Sequence, residues 1–196
     1  MAERFHATTS RSSDSLRNHF LLAMPSLSEG IFCHSITYIC EHGESGAMGI
    51  VINQPLELSV AEIFDHLQID SLRDFTDEPV LAGGPVQIDH GFVLHRGSTA
   101  QWEASLTVTD EITLTTSRDI LRAIAHGNGP QEHLIALGYA GWSAGQLEQE
   151  LASNAWLTLP ADSDIIFRTP AENRLAAAAA QLGIDMNLIS AEAGHA

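Results

Sequence analysis

The strongest constraint on the fold is an alternation of short strand-like runs with helix-start motifs between residues 19 and 183. Apolar runs of about four to eight residues, rich in β-branched and aromatic side chains and bounded by glycine or proline, are typical of strands. Such runs predict strands at 19–24, 35–42, 46–53, 79–82, 91–95, 105–108, 111–116, 133–140 and 155–159.

Two of these runs predict an antiparallel hairpin. SITYICEH (35–42) and GAMGIVIN (46–53) are joined by a short loop that contains Gly43 and Gly46. Glycine at such a loop favours the backbone conformations of tight hairpin turns. Pro55 lacks a backbone donor, so we expect it to end the second strand.

Helix starts are marked by local chemistry. In a capping box, the side chain of a serine or threonine accepts a hydrogen bond from the amide of the third residue of the helix. The Glu or Gln side chain of that third residue in turn accepts one from the amide of the serine or threonine. This spacing, or one close to it, predicts helix starts at Ser59, Thr116, Ser143 and Thr169. Gly127 and Gly183 are predicted to end the second and fourth of these helices, because glycine is the preferred left-handed C-terminal residue.

Predicted strands outnumber predicted helices, and both hairpins and strand–helix–strand units occur. This pattern predicts an α/β fold, a single compact domain with a mixed, partly antiparallel β-sheet and helices packed on its faces. Residues 1–15 are polar, rich in Ser and Thr and without periodicity, so we expect a disordered N-terminal tail followed by a domain over 16–196.

The charge balance excludes several kinds of protein. The chain has nine basic residues, all arginine, against 25 acidic ones, and its formal net charge is −16. Without lysine, neither a lysine Schiff base nor a Walker-type phosphate site can form. The arginines are scattered, which disfavours direct nucleic-acid binding. No apolar run approaches the roughly 18 residues of a membrane span, so we expect a cytoplasmic protein without a membrane partner.

No metal or cofactor is expected, because the ten histidines show no helical metal-ligand spacing. In the cytoplasm, Cys33 and Cys40 should be free thiols. On a regular strand Cys40 and His42 share one face, and Glu41 points to the other. Either His42 activates the Cys40 thiol, or a buried thiol lies beside a hydrogen-bonded histidine.

Two further segments carry anion-binding chemistry. The backbone N–H groups of Gly83 and Gly84, which follow a short strand, could cradle an anion, or the two glycines serve only a tight turn. Thr116, Ser117 and Arg118 lie at a predicted helix N-terminus, where the helix dipole attracts anions. The alternative there is an ordinary helix cap.

The segment LGYAGW (137–142) is predicted to be a strand that ends in small residues just before a helix. Ligands of open α/β sheets tend to lie outside such strand ends. Tyr139 and Trp142 could therefore line a pocket, to which Asn53 adds hydrogen-bonding capacity. Equally, the glycines of this segment serve only to let the helix pack closely on the sheet.

Six collinear segments together resemble one known family. They are LLAMPSL (21–27), YICEHGESGAMGIVINQP (38–55), LAGGPVQIDHGFVLH (81–95), LTTSRDILRAIAHGNGP (114–130), LGYAGWSAGQLEQELASNAWLTLPAD (137–162) and the terminal AGHA. From about Leu16 to Ala196 the chain resembles the YqgE/AlgH family of bacterial cytoplasmic proteins. The resemblance implies an α/β fold on a mixed central sheet, and its AlgH branch is named for an association with alginate regulation. Many members have arginine where this chain has Gln54, which weakens an anion-binding role there.

Two hypotheses for function follow. The first is a cytosolic regulatory or adaptor protein that acts through a ligand or protein partner, with the alginate link implied by the resemblance. The second is an enzyme or small-molecule (anion) binder. Its cleft would form where the hairpin 40–54, the GGP turn, TTSR and GYAGW converge, and its candidate residues are Glu41, His42, Asn53, Gly83, Gly84, Thr116, Ser117, Arg118, Tyr139 and Trp142.

Overall fold

The computed structural model describes residues 15–185. Within them the strands are β1 (His19–Ala23), β2 (Ile36–Gly43), β3 (Gly46–Val51), β4 (Pro55–Ser59), β5 (Pro79–Ala82), β6 (Val86–Arg96), β7 (Ser105–Thr107), β8 (Ile112–Thr115), β9 (His133–Ser143) and β10 (Trp156–Pro160). The helices are α1 (Val60–His66), α2 (Arg118–Ala125), α3 (Gln146–Ala152), α4 (Ser163–Phe167) and α5 (Ala171–Gln181). Short 3-10 turns lie at Gly30–Phe32 and Thr99–Gln101.

The strands form one curled sheet in the order β10-β1-β2-β3-β9-β6-β8-β7, and β4 and β5 branch from it. The pair formed by β5 and β9 is parallel, and the other described pairs are antiparallel. The predicted α/β class, single domain and mixed sheet are therefore confirmed. The predicted hairpin of β2 and β3 is confirmed as well.

Helices cover both faces of the sheet. Three core clusters lie against the sheet. Phe20 and Leu22 of β1 pack into the first cluster, which includes residues of α4 and α5. Leu21 and Ala23 of β1 pack into the third cluster, which includes Leu147 of α3. A second cluster joins α1 and α2 to the sheet. The alternation along β1 follows the two-residue period of a strand.

Several predicted boundaries were wrong. Pro55 does not end a strand but begins β4, which the sequence reading had missed. β9 continues through the LGYAGW segment to Ser143, because this stretch pairs with β3. The helix predicted from Ser143 therefore begins only at Gln146, after Gly145 in a left-handed conformation. The short helix α4 was also missed, and α5 begins after Pro170 without a side-chain cap from Thr169.

A β-bulge in β2 changes which side chains share a face. The register against β3 shifts at Cys40, so the regular alternation breaks there. Cys40 belongs to the first core cluster, whereas His42 lies opposite Ala47, which packs against the third cluster. Glu41 lies opposite Met48, a residue of the first-cluster face. The expectation that Cys40 and His42 share a face was therefore wrong.

The predicted disordered tail falls almost entirely on residues 1–14, which lie outside the described residues. Across residues 15–185, no helix has the length and apolar character that a membrane crossing requires.

Candidate functional site

A cleft of about 940 Å³ opens between the tip of the β2–β3 hairpin, the end of β9, the start of β6 and the β7–β8 pair. We call it the glutamate cleft. Its lining residues are Glu41, Ser45–Met48, Val86, Gln87, Phe92, Glu103–Leu106, Leu114, Thr116, Tyr139 and Gly141–Ser143.

The floor of the glutamate cleft is apolar. Phe92 and Leu114 are buried, and Met48, Leu106 and Tyr139 pack against the same first core cluster while remaining partly exposed. The rings of Phe92 and Tyr139 meet edge to face with centroids 5.6 Å apart. This geometry is favourable for aromatic pairs and fixes a rigid surface on which an apolar group of a ligand can rest.

The charge of the glutamate cleft is negative. Its lining contains two carboxylates, Glu41 and Glu103, and neither arginine nor histidine. Both glutamates are exposed, and the bulge in β2 places Glu41 on the cleft side of the sheet. A cleft with this lining favours a cationic or neutral ligand over an anion.

The loop that carries Glu103 is fixed by α2. The Glu103 amide donates to Asp119 Oδ2 at 2.9 Å, and the Ala104 amide donates to Ser117 Oγ at 3.1 Å. Burial tends to raise the pKa of Asp119, but the hydrogen bonds that it accepts outweigh this effect, so its pKa lies below the ordinary value of 3.8. Asp119 is therefore ionised at neutral pH and holds the Glu103 loop against the helix.

Four of the ten sequence-predicted site residues line the glutamate cleft: Glu41, Thr116, Tyr139 and Trp142. The indole of Trp142 makes contacts outside the cleft. It packs in the third core cluster, and its N–H donates to Glu150 Oε2 at 2.9 Å.

The His42 side chain does not line the cleft and connects two parts of the fold. Its Nδ1 accepts a hydrogen bond from the Leu16 amide at 2.9 Å, and its Nε2 lies 2.8 Å from Glu148 Oε1. Because Nδ1 accepts, the proton of a neutral ring sits on Nε2 and is donated to Glu148. Both ring nitrogens are thus engaged within the protein.

Asn53 and the two glycines also lie outside the glutamate cleft. Asn53 bridges backbone groups, since its Oδ1 accepts from the Ile36 amide and its Nδ2 donates to the His34 carbonyl. Gly83 and Gly84 are buried against β9, and the Gly83 amide donates to the Leu137 carbonyl at 2.8 Å. That amide is therefore not available to an anion.

Ser117 and Arg118 line a different pocket, which Thr116 also reaches. This pocket measures about 340 Å³ and includes His66, Asp89 and His90 around an apolar floor formed in part by Val93 and Leu121. The structure thus separates the cationic part of the predicted site, around Arg118, from the carboxylates of the glutamate cleft.

Cys40 is unsuited to thiol chemistry, and the described part of the chain has no cluster of metal ligands. Cys40 is 0 % exposed, and burial raises the pKa of its thiol well above the ordinary 9.0. A thiolate is the reactive form, so Cys40 is inert in the folded protein. Within residues 15–185, no three His, Cys, Asp or Glu side chains cluster so that they could hold a metal ion.

Sequence reasoning missed several cleft residues, chiefly Glu103, Gln87, Ser105 and Phe92. Phe92 was placed on a strand, but its face could not be assigned. Glu103 follows a 3-10 turn and belongs to no motif. The pairing of β7 with β8 and the hydrogen bonds to Ser117 and Asp119 bring it to the cleft, and no local signal could have shown this.

The chain matches the family model described as DUF179, AlgH-like, over residues 20–187. It is 57% identical over 182 residues to a UPF0301 protein of Saccharophagus degradans, covering 93% of this chain and 89% of that protein. A UPF0301 protein of Thioalkalivibrio sulfidiphilus is 56% identical over 184 residues, with 94% and 98% of the two chains covered.

Two solved structures are similar. The solution structure of the AlgH protein from Pseudomonas aeruginosa has a TM-score of 0.77 at 49% identity and covers 95% of this chain and 99% of that one. A crystal structure of a Corynebacterium diphtheriae protein has a TM-score of 0.70 at 16% identity, covering 93% and 95% of the two chains, and this likeness concerns the fold alone.

Proposed function

The chain belongs to the AlgH-like family, and we propose that it is an adaptor-type binding protein whose glutamate cleft takes up a basic, partly apolar segment of a partner protein. The observation that carries this proposal is the lining of the cleft, which combines Glu41 and Glu103 with an apolar floor. A volume of about 940 Å³ suits several residues of a peptide better than one small amine.

The recognition follows from the two parts of the cleft. Arginine side chains of the partner would pair with the two carboxylates, and an aromatic or aliphatic side chain would rest against Phe92 and Tyr139. Apolar contact supplies most of the affinity, because exposed ion pairs contribute only about 0.2–1 kcal/mol each. The carboxylates therefore act mainly by excluding acidic segments and by accelerating association.

Calorimetric titration tests this proposal with a blocked hexapeptide that alternates arginine and phenylalanine. We expect binding to the full chain, and a loss of affinity of about twofold to thirtyfold in the E41Q/E103Q double variant, from the ion-pair range above. A peptide with glutamate in place of arginine should not bind.

The matched control is E57Q/E111Q, which removes two exposed glutamates that do not line the cleft. Its affinity for the arginine peptide should stay within about twofold of the unmodified chain, since distant exposed charges are screened by salt. Equal losses in both double variants would attribute binding to overall charge and contradict the proposed site.

The alternative function, an enzyme or a small-molecule anion binder, is favoured by one observation, the pocket that contains Arg118, His66 and His90. It does not concern the glutamate cleft, whose charge is of the wrong sign for an anion. A cytoplasmic location and a link to alginate regulation, both implied by the family resemblance, stay predictions of the adaptor proposal.

A further inference from the structure

The chain enters the described fold beside the glutamate cleft. Ser15 Oγ donates to the His42 carbonyl at 3.1 Å, and the Leu16 amide donates to His42 Nδ1 at 2.9 Å. His42 follows Glu41 directly on β2. Ser15, the first described residue, is therefore hydrogen-bonded to the residue next to Glu41, a carboxylate of the cleft.

The preceding residues have the composition that the cleft favours. Residues 4–13 read RFHATTSRSS, with Arg4, Arg11 and Phe5 and without an acidic residue. Glu3 and Asp14 flank this stretch. In a chain of formal net charge −16 with nine arginines in all, ten consecutive residues with two arginines and no carboxylate stand out.

The segment is long enough to reach the carboxylate of Glu41. An extended chain spans at most about 3.3–3.6 Å per residue. Arg11 lies four residues before Ser15, so its Cα can be up to roughly 14 Å away, and that of Arg4 up to roughly 40 Å. The adjacent glutamate, Glu41, lies well inside these limits.

We propose that residues 4–13 occupy the glutamate cleft of their own chain, with the arginines against Glu41 and Glu103 and Phe5 on the apolar floor. This inference rests on the proposed function, since it makes the segment an internal competitor of the partner protein. A short tether gives the segment an effective concentration of about a millimolar at the cleft of its own chain. Even a weak contact of the segment then lowers the apparent affinity for a partner.

The test uses the full chain with the R4Q/R11Q double variant and, as matched control, R118Q/R122Q, which removes two exposed arginines of α2 that do not line the cleft. Amide NMR spectra without peptide should differ between R4Q/R11Q and the unmodified chain at Gly46, Met48 and Gly141. The control should leave these three signals unchanged. Affinity for the arginine–phenylalanine hexapeptide should rise about twofold to tenfold in R4Q/R11Q only, as expected for loss of a tethered competitor.

The outcomes separate the two proposals. If the hexapeptide binds the cleft, but R4Q/R11Q changes neither its affinity nor the three amide signals, the segment proposal is overturned and the proposed function stands. If the amide signals move although the hexapeptide binds neither protein, the segment contact is supported and the proposed function fails. A signal difference that fades on dilution would assign the segment to the cleft of a second copy, which also overturns the proposal.

Discussion

Gly138 illustrates how a single residue can determine the geometry near the cleft. It has φ +73°, and a Cβ there would lie 2.3 Å from the Gly84 carbonyl oxygen. Strand β9 thus passes the GGP turn with backbone against backbone. Gly83, Gly84 and Gly138 are accounted for by this contact between a strand and a turn, and not by the packing of a helix on the sheet.

We predict that Gly138→Ala destabilises the protein by about 2–4 kcal/mol, because it combines left-handed strain with a backbone clash. Gly127→Ala is the matched control, since Gly127 has φ +72° but open space where the Cβ would lie. It should cost only the left-handed penalty of about 1–2 kcal/mol. Urea unfolding measures both, and equal losses would contradict the close contact.

The two thiols should differ sharply in reactivity. Cys40 is fully buried and burial raises the pKa of its thiol, whereas Cys33 is partly exposed. We therefore expect iodoacetamide to add one group to the native chain, at Cys33, and a second only after unfolding. Mass spectrometry of C33S gives the control, which should stay unmodified when native. Rapid native labelling of C33S would show that Cys40 is accessible after all.

At the scale of elements, the capping box predicted for α1 is confirmed. Ser59 accepts a hydrogen bond from the Glu62 amide at 3.2 Å, and the Glu62 carboxylate accepts one from the Ser59 amide at 2.8 Å. Ser143 carries a similar spacing but lies on β9, and there only its amide bonds the side chain of Gln146.

We therefore predict that alanine substitution affects stability at Ser59 more than at Ser143. Ser59→Ala should lower the free energy of unfolding by about 1 kcal/mol, because it removes the acceptor for a helix N–H. Ser143→Ala keeps the amide that bonds Gln146 and should change stability by less than about 0.5 kcal/mol. Thermal or denaturant unfolding compares them, and a larger loss at Ser143 would show that it acts as a true cap.

Ser59 and Ser143 illustrate which features of the fold can be predicted from the sequence and which cannot. Strand runs, the hairpin and the cap at Ser59 depend on neighbours along the chain, so they were predictable. The continuation of β9 to Ser143 depends on pairing with β3, and the bulge at Cys40 depends on register. Both arise from contacts between distant segments, which local patterns do not encode.

For the whole molecule, the decisive property of the site is how charge is distributed. The sequence predicted one site with Glu41 and Arg118 together, but the structure places them in separate cavities. Glu103, which sets the sign of the cleft together with Glu41, was not predictable because it belongs to a loop without a motif. The cleft that results is acidic with an apolar floor, and this is the basis of the adaptor proposal.

The most direct test is an amide NMR titration of the full chain with the arginine–phenylalanine hexapeptide. We predict that the amide signals of Gly46, Met48 and Gly141 shift as peptide is added, and that E41Q/E103Q reduces these shifts at equal peptide concentration. Shifts confined to Arg118 and its pocket, or no shift at saturating peptide, would contradict the assignment of the glutamate cleft as the binding site.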